Sequence, residues 1–138
     1  MSTLSPQLEA LRAFAIFKGL AQDELQAIAS LMQAQNYAAG SVLIDVNSKI
    51  DQVYIIASGK VMISRVTSYG DETTLSFLSE GNIVGEFGVV DEKGRSARAT
   101  CIEQATLFTL TADQFDDILT RNATVARNVL REFTLRLR

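Results

Sequence analysis

The chain has 138 residues, is 47% hydrophobic and carries a formal net charge of −3. This length suits one domain with a substantial core. The acidic balance argues against a nucleic-acid-binding domain, whose usual mark is a basic face. With no histidine and one cysteine, the composition argues against a zinc site of the usual ligand types and rules out a serine–histidine or cysteine–histidine nucleophile, so a non-enzyme is expected.

The N-terminal region lacks the core of a secretory signal. Its apolar run over residues 11–20 is interrupted by Arg12 and Lys18, and charged residues are foreign to such a core. No apolar run approaches membrane-spanning length. We therefore expect a cytoplasmic protein and no membrane segment in this chain.

The first part of the chain, residues 5–34, is predicted to be helical. Two apolar stripes recur there at helical spacing, namely Leu8, Leu11 and Phe14, then Leu25, Ile28, Leu31 and Met32. Asp23 and Glu24 precede the second stripe, in the first turn, where the helix dipole favours acidic side chains. Both stripes are typical of core packing.

Residues 36–110 have the pattern of short strands separated by turns. The runs SVLIDV, QVYIIA, KVMISRV, TTLSFL, ARATCI and TLFTL are rich in β-branched and aromatic residues. Gly59 and Gly70 are predicted at tight hairpin turns that need a positive φ. No helix of ordinary length fits between the strands, so an antiparallel sandwich or jelly roll is predicted. The lone Cys101 lies in one of these runs and is predicted to be an inert buried thiol.

Residues 111–138 are predicted to form the C-terminal helices. Thr111 and Gln114 have the spacing of a capping box, and Asn122 is predicted to cap the last helix. An apolar seam in that helix recurs at intervals of four, three and four residues: Ala126, Leu130, Phe133 and Leu137. Two interpretations are open, an amphipathic helix lying against the barrel or a homodimer helix within residues 123–138.

The segment GEFGVVDEKGRSA, residues 85–97, has features of an anion site. Gly85 and Gly88 lack Cβ atoms, so a ligand could approach the backbone closely. The stretch 86–90 is predicted to form one short helical turn, whose backbone N–H groups suit an anion. The glycine spacing fits neither a P-loop nor a Rossmann fingerprint, which excludes the two common nucleotide-binding loops.

The charged residues of this segment narrow the class of possible ligands further. Arg95 offers a planar guanidinium fork for phosphate oxygens, and Ser96 adds a hydroxyl donor. Glu86 would repel a bare phosphate unless it accepts a hydrogen bond from the same ligand, such as one from a sugar hydroxyl. A phosphate joined to a ribose satisfies both charges; the alternative is that Glu86 and Arg95 pair with each other.

These residues give the sequence a recognisable family resemblance. LSFLSEGNIVGEFGVV followed by RSA resembles the phosphate-binding cassette of cyclic nucleotide-binding domains, above all those of bacterial transcription regulators of the catabolite activator type. IFKGLAQDELQAIASLM is similar to the N-terminal helical stretch of the family, and QVYIIASGKVMI to its strand–Gly–strand hairpin. The resemblance implies a single, mainly β domain over residues 1–138: an eight-stranded antiparallel jelly-roll β-barrel with N-terminal and C-terminal helices.

The resemblance also implies a role for each cassette residue. Arg95 is expected to pair with the cyclic phosphate, which Ser96 and the backbone of Gly88 also contact, and Glu86 to accept from the ribose 2′-hydroxyl. The full set of expected ligand contacts is Gly85, Glu86, Phe87, Gly88, Arg95, Ser96 and Ala97.

Three apolar residues are assigned to the pocket by the same resemblance. Ile63, Leu75 and Val84 occupy positions that line the pocket in such domains, although the same residues would also suit a plain hydrophobic core. Val84 departs from the family pattern, because many members carry an aromatic residue there.

The function implied by the resemblance is that of a cyclic nucleotide sensor, with cAMP favoured over cGMP as the ligand and no further cofactor. Such a domain would couple ligand binding to movement of its C-terminal helices, as part of a larger transcription regulator or signalling protein. The sequence ends at Arg138, before the helix-turn-helix domain of activator-type relatives, so no nucleic-acid binding is expected of this chain. The alternative is a degenerate, ligand-free interaction or dimerisation module with the same fold.

Overall fold

Two four-stranded antiparallel sheets form the centre of the structure. This computed structural model describes residues 6–45, 52–85 and 97–136. The strands in those ranges are β1 Gln33–Tyr37, β2 Val42–Ile44, β3 Gln52–Ser58, β4 Val61–Val66, β5 Glu72–Leu78, β6 Ile83–Val84, β7 Arg98–Cys101 and β8 Ala105–Thr111. Sheet A has the strand order β1-β8-β3-β6, and sheet B has the order β2-β7-β4-β5. The predicted antiparallel jelly-roll arrangement is confirmed.

Helices flank the sheets at both ends of the chain. They are α1 Pro6–Arg12, a 3₁₀ turn Ala15–Phe17, α2 Gln22–Leu31, α3 Ala112–Arg121 and α4 Ala123–Arg136. The predicted capping box is present, because the Gln114 N–H donates to Thr111 Oγ1 at 3.0 Å and the Thr111 N–H donates to Gln114 Oε1 at 2.9 Å. The predicted cap of α4 is also present, with Asn122 Oδ1 accepting from the Val125 N–H at 3.1 Å.

The domain has three layers, with sheet A in the middle. Four successive residues of β3 are buried, and they alternate between two cores. Val53 and Ile55 pack with the helices, whereas Tyr54 and Ile56 pack with sheet B inside the barrel. A strand buried on both faces needs a continuous apolar run, which explains the QVYII sequence. Sheet B is more open, since six of the seven residues of β5 are exposed.

The change from helix to strand comes earlier than predicted. Helix α2 ends at Leu31 and β1 already begins at Gln33, whereas helix was expected to residue 34 and the barrel from residue 36. β1 is mostly polar and exposed, so it lacks the apolar pattern by which a strand is recognised in a sequence. It is a strand because its backbone pairs with β8. Leu31 was also assigned to the core and is 42% exposed; Ala29 is buried instead.

Helix α4 packs on the N-terminal helical segment. Val125 and Val129 are buried in the core that the helices share with sheet A. Between them Asn128, also buried, donates through Nδ2 to the Ile16 carbonyl at 3.0 Å and to the Lys18 carbonyl at 2.9 Å. Buried carbonyls need such donors, so the amide ties α4 to the 3₁₀ turn.

The apolar seam predicted in α4 is only partly used in this packing. Phe133 is half-buried against the helical core, while Leu130 is 63% exposed. Leu137 lies outside the described residues. The helix therefore lies against the domain through a face offset from the seam, and Leu130 stays available for another contact.

Cys101 leads to a pH-dependent prediction. The thiol is fully buried at the end of β7, as predicted, and burial raises its pKa above the ordinary value of 9.0. The unfolded chain therefore loses the thiol proton at lower pH than the folded chain, so the free energy of unfolding should fall as pH rises beyond about 9. We expect Cys101→Ala to reduce this slope by up to about 1.4 kcal/mol per pH unit.

Urea unfolding of both proteins at pH 7 to 10.5 checks this expectation. The slope against pH is compared rather than the absolute value, since the substitution also removes core volume. The pKa of Tyr37 is raised by burial and, to a smaller extent, by the charge of Cys101. Its ionisation therefore also lowers the free energy of unfolding as pH rises, at higher pH than Cys101. Parallel profiles for the two proteins would contradict the prediction.

Candidate ligand-binding site

The predicted binding segment joins the two sheets. Glu86, Phe87, Gly88, Arg95 and Ser96, with the helical turn predicted over 86–90, lie outside the described residues. Gly85 and Ala97 are described: Gly85 directly follows β6 at the edge of sheet A, and Ala97 directly precedes β7, which lies between β2 and β4 in sheet B. Both ends of the segment are thus anchored on strands, one in each sheet.

The first end of the segment is shaped by Gly85. Val84 pairs with Tyr54 of β3, and its side chain is 1% exposed. The next residue, Gly85, has a φ of +104°, a conformation that residues with a Cβ atom rarely adopt. The chain therefore leaves sheet A at a position that requires glycine.

The turn before β6 contacts the N-terminal helical segment. Asn82 Oδ1 accepts from the Ser79 N–H at 2.9 Å, and the Gly81 N–H donates to the Ile56 carbonyl at 2.8 Å. A Cβ atom at Gly81 would lie 3.3 Å from Phe14 Cδ1. The turn that precedes the site therefore lies next to the helical layer.

The three predicted pocket residues occupy different environments. Val84 is part of the core inside the barrel, and Ile63 packs against that core while partly buried. Leu75 is 51% exposed at a register shift between β4 and β5. The structure therefore brings Val84 and Ile63 to one cluster and leaves Leu75 outside it, so the plain-core alternative does not describe Leu75.

Next to the second end of the segment lies Arg98, the first residue of β7 and three residues after Arg95. Arg98 Nε lies 2.9 Å from Asp45 Oδ1, and Nη1 lies 3.5 Å from Glu72 Oε1. The hydrogen bond that Arg98 donates to Asp45 and the charges of both carboxylates raise the pKa of Arg98. Ser64, which is fully buried, donates through Oγ to Glu72 Oε2 at 2.5 Å. We call Asp45, Ser64, Glu72 and Arg98 the outer-face cluster.

The outer-face cluster lies on the face of sheet B that points away from the barrel core, as the alternation of side chains along the strands shows. Ile44 and Ala99 point into the barrel core, so their neighbours Asp45 and Arg98 point away from it. Ser64 is the register partner of Arg98 and shares its face. This cluster could not be predicted from the sequence, because its members are far apart in the chain and only the strand order of sheet B brings them together.

The described ranges contain neither a cluster of metal-ligating side chains nor a membrane-spanning helix. Among residues 6–45, 52–85 and 97–136, no three Cys, Asp or Glu side chains are grouped so as to hold a metal ion. Within those same ranges, the helices are too short or too polar to cross a lipid bilayer.

Comparison with known proteins connects these observations. The family model described as "Cyclic nucleotide-binding domain" matches residues 34–122. The cyclic AMP receptor protein of Thermus thermophilus is 32% identical over 123 residues, which is 89% of this chain and 57% of that protein. The cGMP-dependent protein kinase isozyme 1 of Drosophila melanogaster is 27% identical over 79% of this chain and 15% of the kinase.

A solved structure shows the same likeness in three dimensions. The crystal structure of the Thermus thermophilus catabolite activator protein superposes with a TM-score of 0.78 at 32% identity, over 89% of this chain and 58% of that one. The chain thus spans little more than half of the regulators that it resembles and a small part of the kinase.

Proposed function

Because the chain belongs to the family of cyclic nucleotide-binding domains, we propose that it is a sensor domain that binds a cyclic nucleotide through residues 85–97. The observation that carries the proposal is the placement of that segment between an edge strand of sheet A and a central strand of sheet B. A ligand bound by this segment would therefore lie beside strands of both sheets. The domain would act by binding rather than by catalysis.

Arg95 would neutralise the cyclic phosphate. The nearby Arg98 is already engaged by Asp45 and Glu72, which leaves Arg95 as the arginine offered to the ligand by this segment. A cyclic monophosphate carries one negative charge, which one arginine can balance. Glu86 would then accept from the ribose hydroxyl, and Gly85, Phe87, Gly88, Ser96 and Ala97 would complete the contacts.

cAMP is the favoured ligand. The relative named for cyclic AMP is 32% identical to this chain and the kinase named for cGMP is 27% identical. Ser96 suits either nucleotide, because its hydroxyl can bond the phosphate or a guanine amino group.

Ile63, Leu75 and Val84 would line the pocket, and the exposure of Leu75 fits a side chain that becomes covered by a ligand.

A chain of neighbouring residues supports coupling to the C-terminal helices. Gly81 lies close to Phe14, and Phe14 shares one core with Val125 and Val129 of α4. The amide of Asn128 adds two hydrogen bonds between α4 and the 3₁₀ turn. A ligand that binds two arrangements of the segment differently could therefore shift the position of α4.

Isothermal titration with cAMP, cGMP and 5′-AMP tests the binding proposal. We expect saturable binding of a cyclic nucleotide, with cAMP bound more tightly than cGMP and 5′-AMP bound weakly or not at all. No detectable heat at millimolar cAMP and cGMP would support the alternative, a ligand-free interaction module.

Exposed apolar residues on α4 support a homodimer through residues 123–138. Leu130 and Leu135 are 63% and 54% exposed, and helix pairs bury such residues. We propose that the domain forms part of a larger regulator that dimerises through this helix. Sedimentation equilibrium should show a concentration-dependent dimer that Leu130→Glu weakens, whereas a strict monomer at high concentration would contradict the proposal for this chain.

A further inference from the structure

The outer-face cluster lies where β7 leaves sheet B toward the binding segment. Arg98 is the first residue of β7 and its pairing with Ser64 is the last one between β7 and β4. On the other side of β7, the last pairing with β2 is that of Ala99 with Ile44. The backbone ladder of β7 therefore ends at Arg98, one residue after Ala97.

The Arg98 side chain connects the ends of three strands at this point, β2, β5 and β7. Asp45 directly follows β2, Glu72 opens β5, and Arg98 contacts both from its position between them. The planar guanidinium suits such a bridge because its donors point in fixed directions. The bond from the buried Ser64 of β4 to Glu72 fixes the far carboxylate.

The charges of the cluster make Arg98 hard to replace. Without it, the positive charge that faces the Asp45 and Glu72 carboxylates would be lost beside a segment proposed to bind an anion. Like charges at short range repel, and the nucleotide phosphate would add a third. Arg98 therefore contributes both the bridge between the strands and the positive charge at this end of the segment.

We propose that Arg98 is a positioning residue for nucleotide binding, which holds the C-terminal end of the binding segment on sheet B by bridging Asp45 and Glu72. Its effect on affinity rests on the proposed function, whereas its effect on the start of β7 does not. Arg98 contributes through the placement of Ala97, and not by contacting the ligand.

The chain offers a matched control for this arginine. Arg121 Nε lies 2.6 Å from Asp117 Oδ1, in an exposed ion pair within helix α3. Arg121→Gln removes the same charge and the same kind of contact from a helix outside the barrel. Arg98→Lys keeps the charge of Arg98 and loses the fork.

Titration with cAMP is the first measurement. We expect Arg98→Gln to weaken binding about fivefold, the order expected for a half-exposed ion-pair network. Arg98→Lys should recover less than half of this loss, and Arg121→Gln should bind within twofold of wild type. The effects of Arg98→Gln and Asp45→Asn should not add, because both break the same bridge. Wild-type affinity in Arg98→Gln, or full rescue by lysine, would overturn the proposal.

Amide hydrogen exchange on the ligand-free protein is the second measurement. Exchange in the peptide covering residues 97–101 should rise severalfold in Arg98→Gln and stay unchanged in Arg121→Gln, and unchanged exchange in both would overturn the positioning role. A purely structural arginine would lower the unfolding temperature while the folded protein kept its affinity. If wild-type protein binds neither nucleotide, the proposed function fails, and the exchange measurement still decides whether Arg98 holds this strand.

Discussion

Arg95→Glu is expected to abolish cyclic nucleotide binding. Arg95 is the arginine of the proposed cassette, and its guanidinium would face a phosphate withdrawn from water. Removing one partner of such a pair costs roughly 3–5 kcal/mol, which lowers affinity about a hundredfold to a few thousandfold. The glutamate adds repulsion to this loss, so titration with millimolar cAMP should show no binding.

The control for this substitution is Arg121→Glu on helix α3. It makes the same change of charge at an exposed position, and affinity should stay within about twofold of wild type, since exposed charges at a distance are screened by salt. Circular dichroism of both variants should match that of wild type. Binding by Arg95→Glu at wild-type affinity would show that another group neutralises the phosphate.

Gly59→Ala is expected to destabilise the domain by about 3 kcal/mol, from a strained φ together with a steric clash. Gly59 turns the chain between β3 and β4 with a φ of +104°. A Cβ atom there would lie 2.6 Å from Ala105 Cβ and 2.7 Å from both Ala105 Cα and the Gln104 carbonyl oxygen. These atoms belong to the start of β8 or adjoin it, so relief would require movement of a central strand.

Gly70→Ala separates the destabilisation caused by the strained φ from that caused by the steric clash. Gly70 lies in the β4–β5 turn with a similar φ of +90°, and a Cβ atom there would meet nothing within 4 Å. Only the conformational term remains, so a loss of about 1 kcal/mol is expected. Urea unfolding of the three proteins gives both values, and equal losses would show that the turn at Gly59 adapts to the added methyl group.

Several features could be predicted from the sequence because their physical cause is local. The capping box of Thr111 and Gln114 depends on a spacing of three residues, and the hairpin turns at Gly59 and Gly70 depend on glycine alone. The antiparallel fold class followed from strand runs too close together for crossover helices. The cassette was visible for the same reason, since its glycines, Glu86 and Arg95 lie within one short segment.

Other features depended on distant parts of the chain. β1 has no apolar pattern and becomes a strand only because β8 offers its backbone groups. The face of α4 that is buried was set by Asn128, whose partners lie more than a hundred residues earlier at Ile16 and Lys18. The apolar seam alone did not identify that face.

The sequence by itself determined the class of fold, the helix caps, the tight turns and the residues proposed to hold a phosphorylated sugar. The caps, the turns and the proposed binding residues rest on spacings within a short peptide, and the class of fold rests on the succession of short strand runs over residues 36–110. Only the tertiary structure decided that β3 of sheet A is buried on both faces, and that Arg98 is bound by Asp45 and Glu72. The reason is physical: burial and ion pairing between distant residues depend on strand order, which local spacing does not encode.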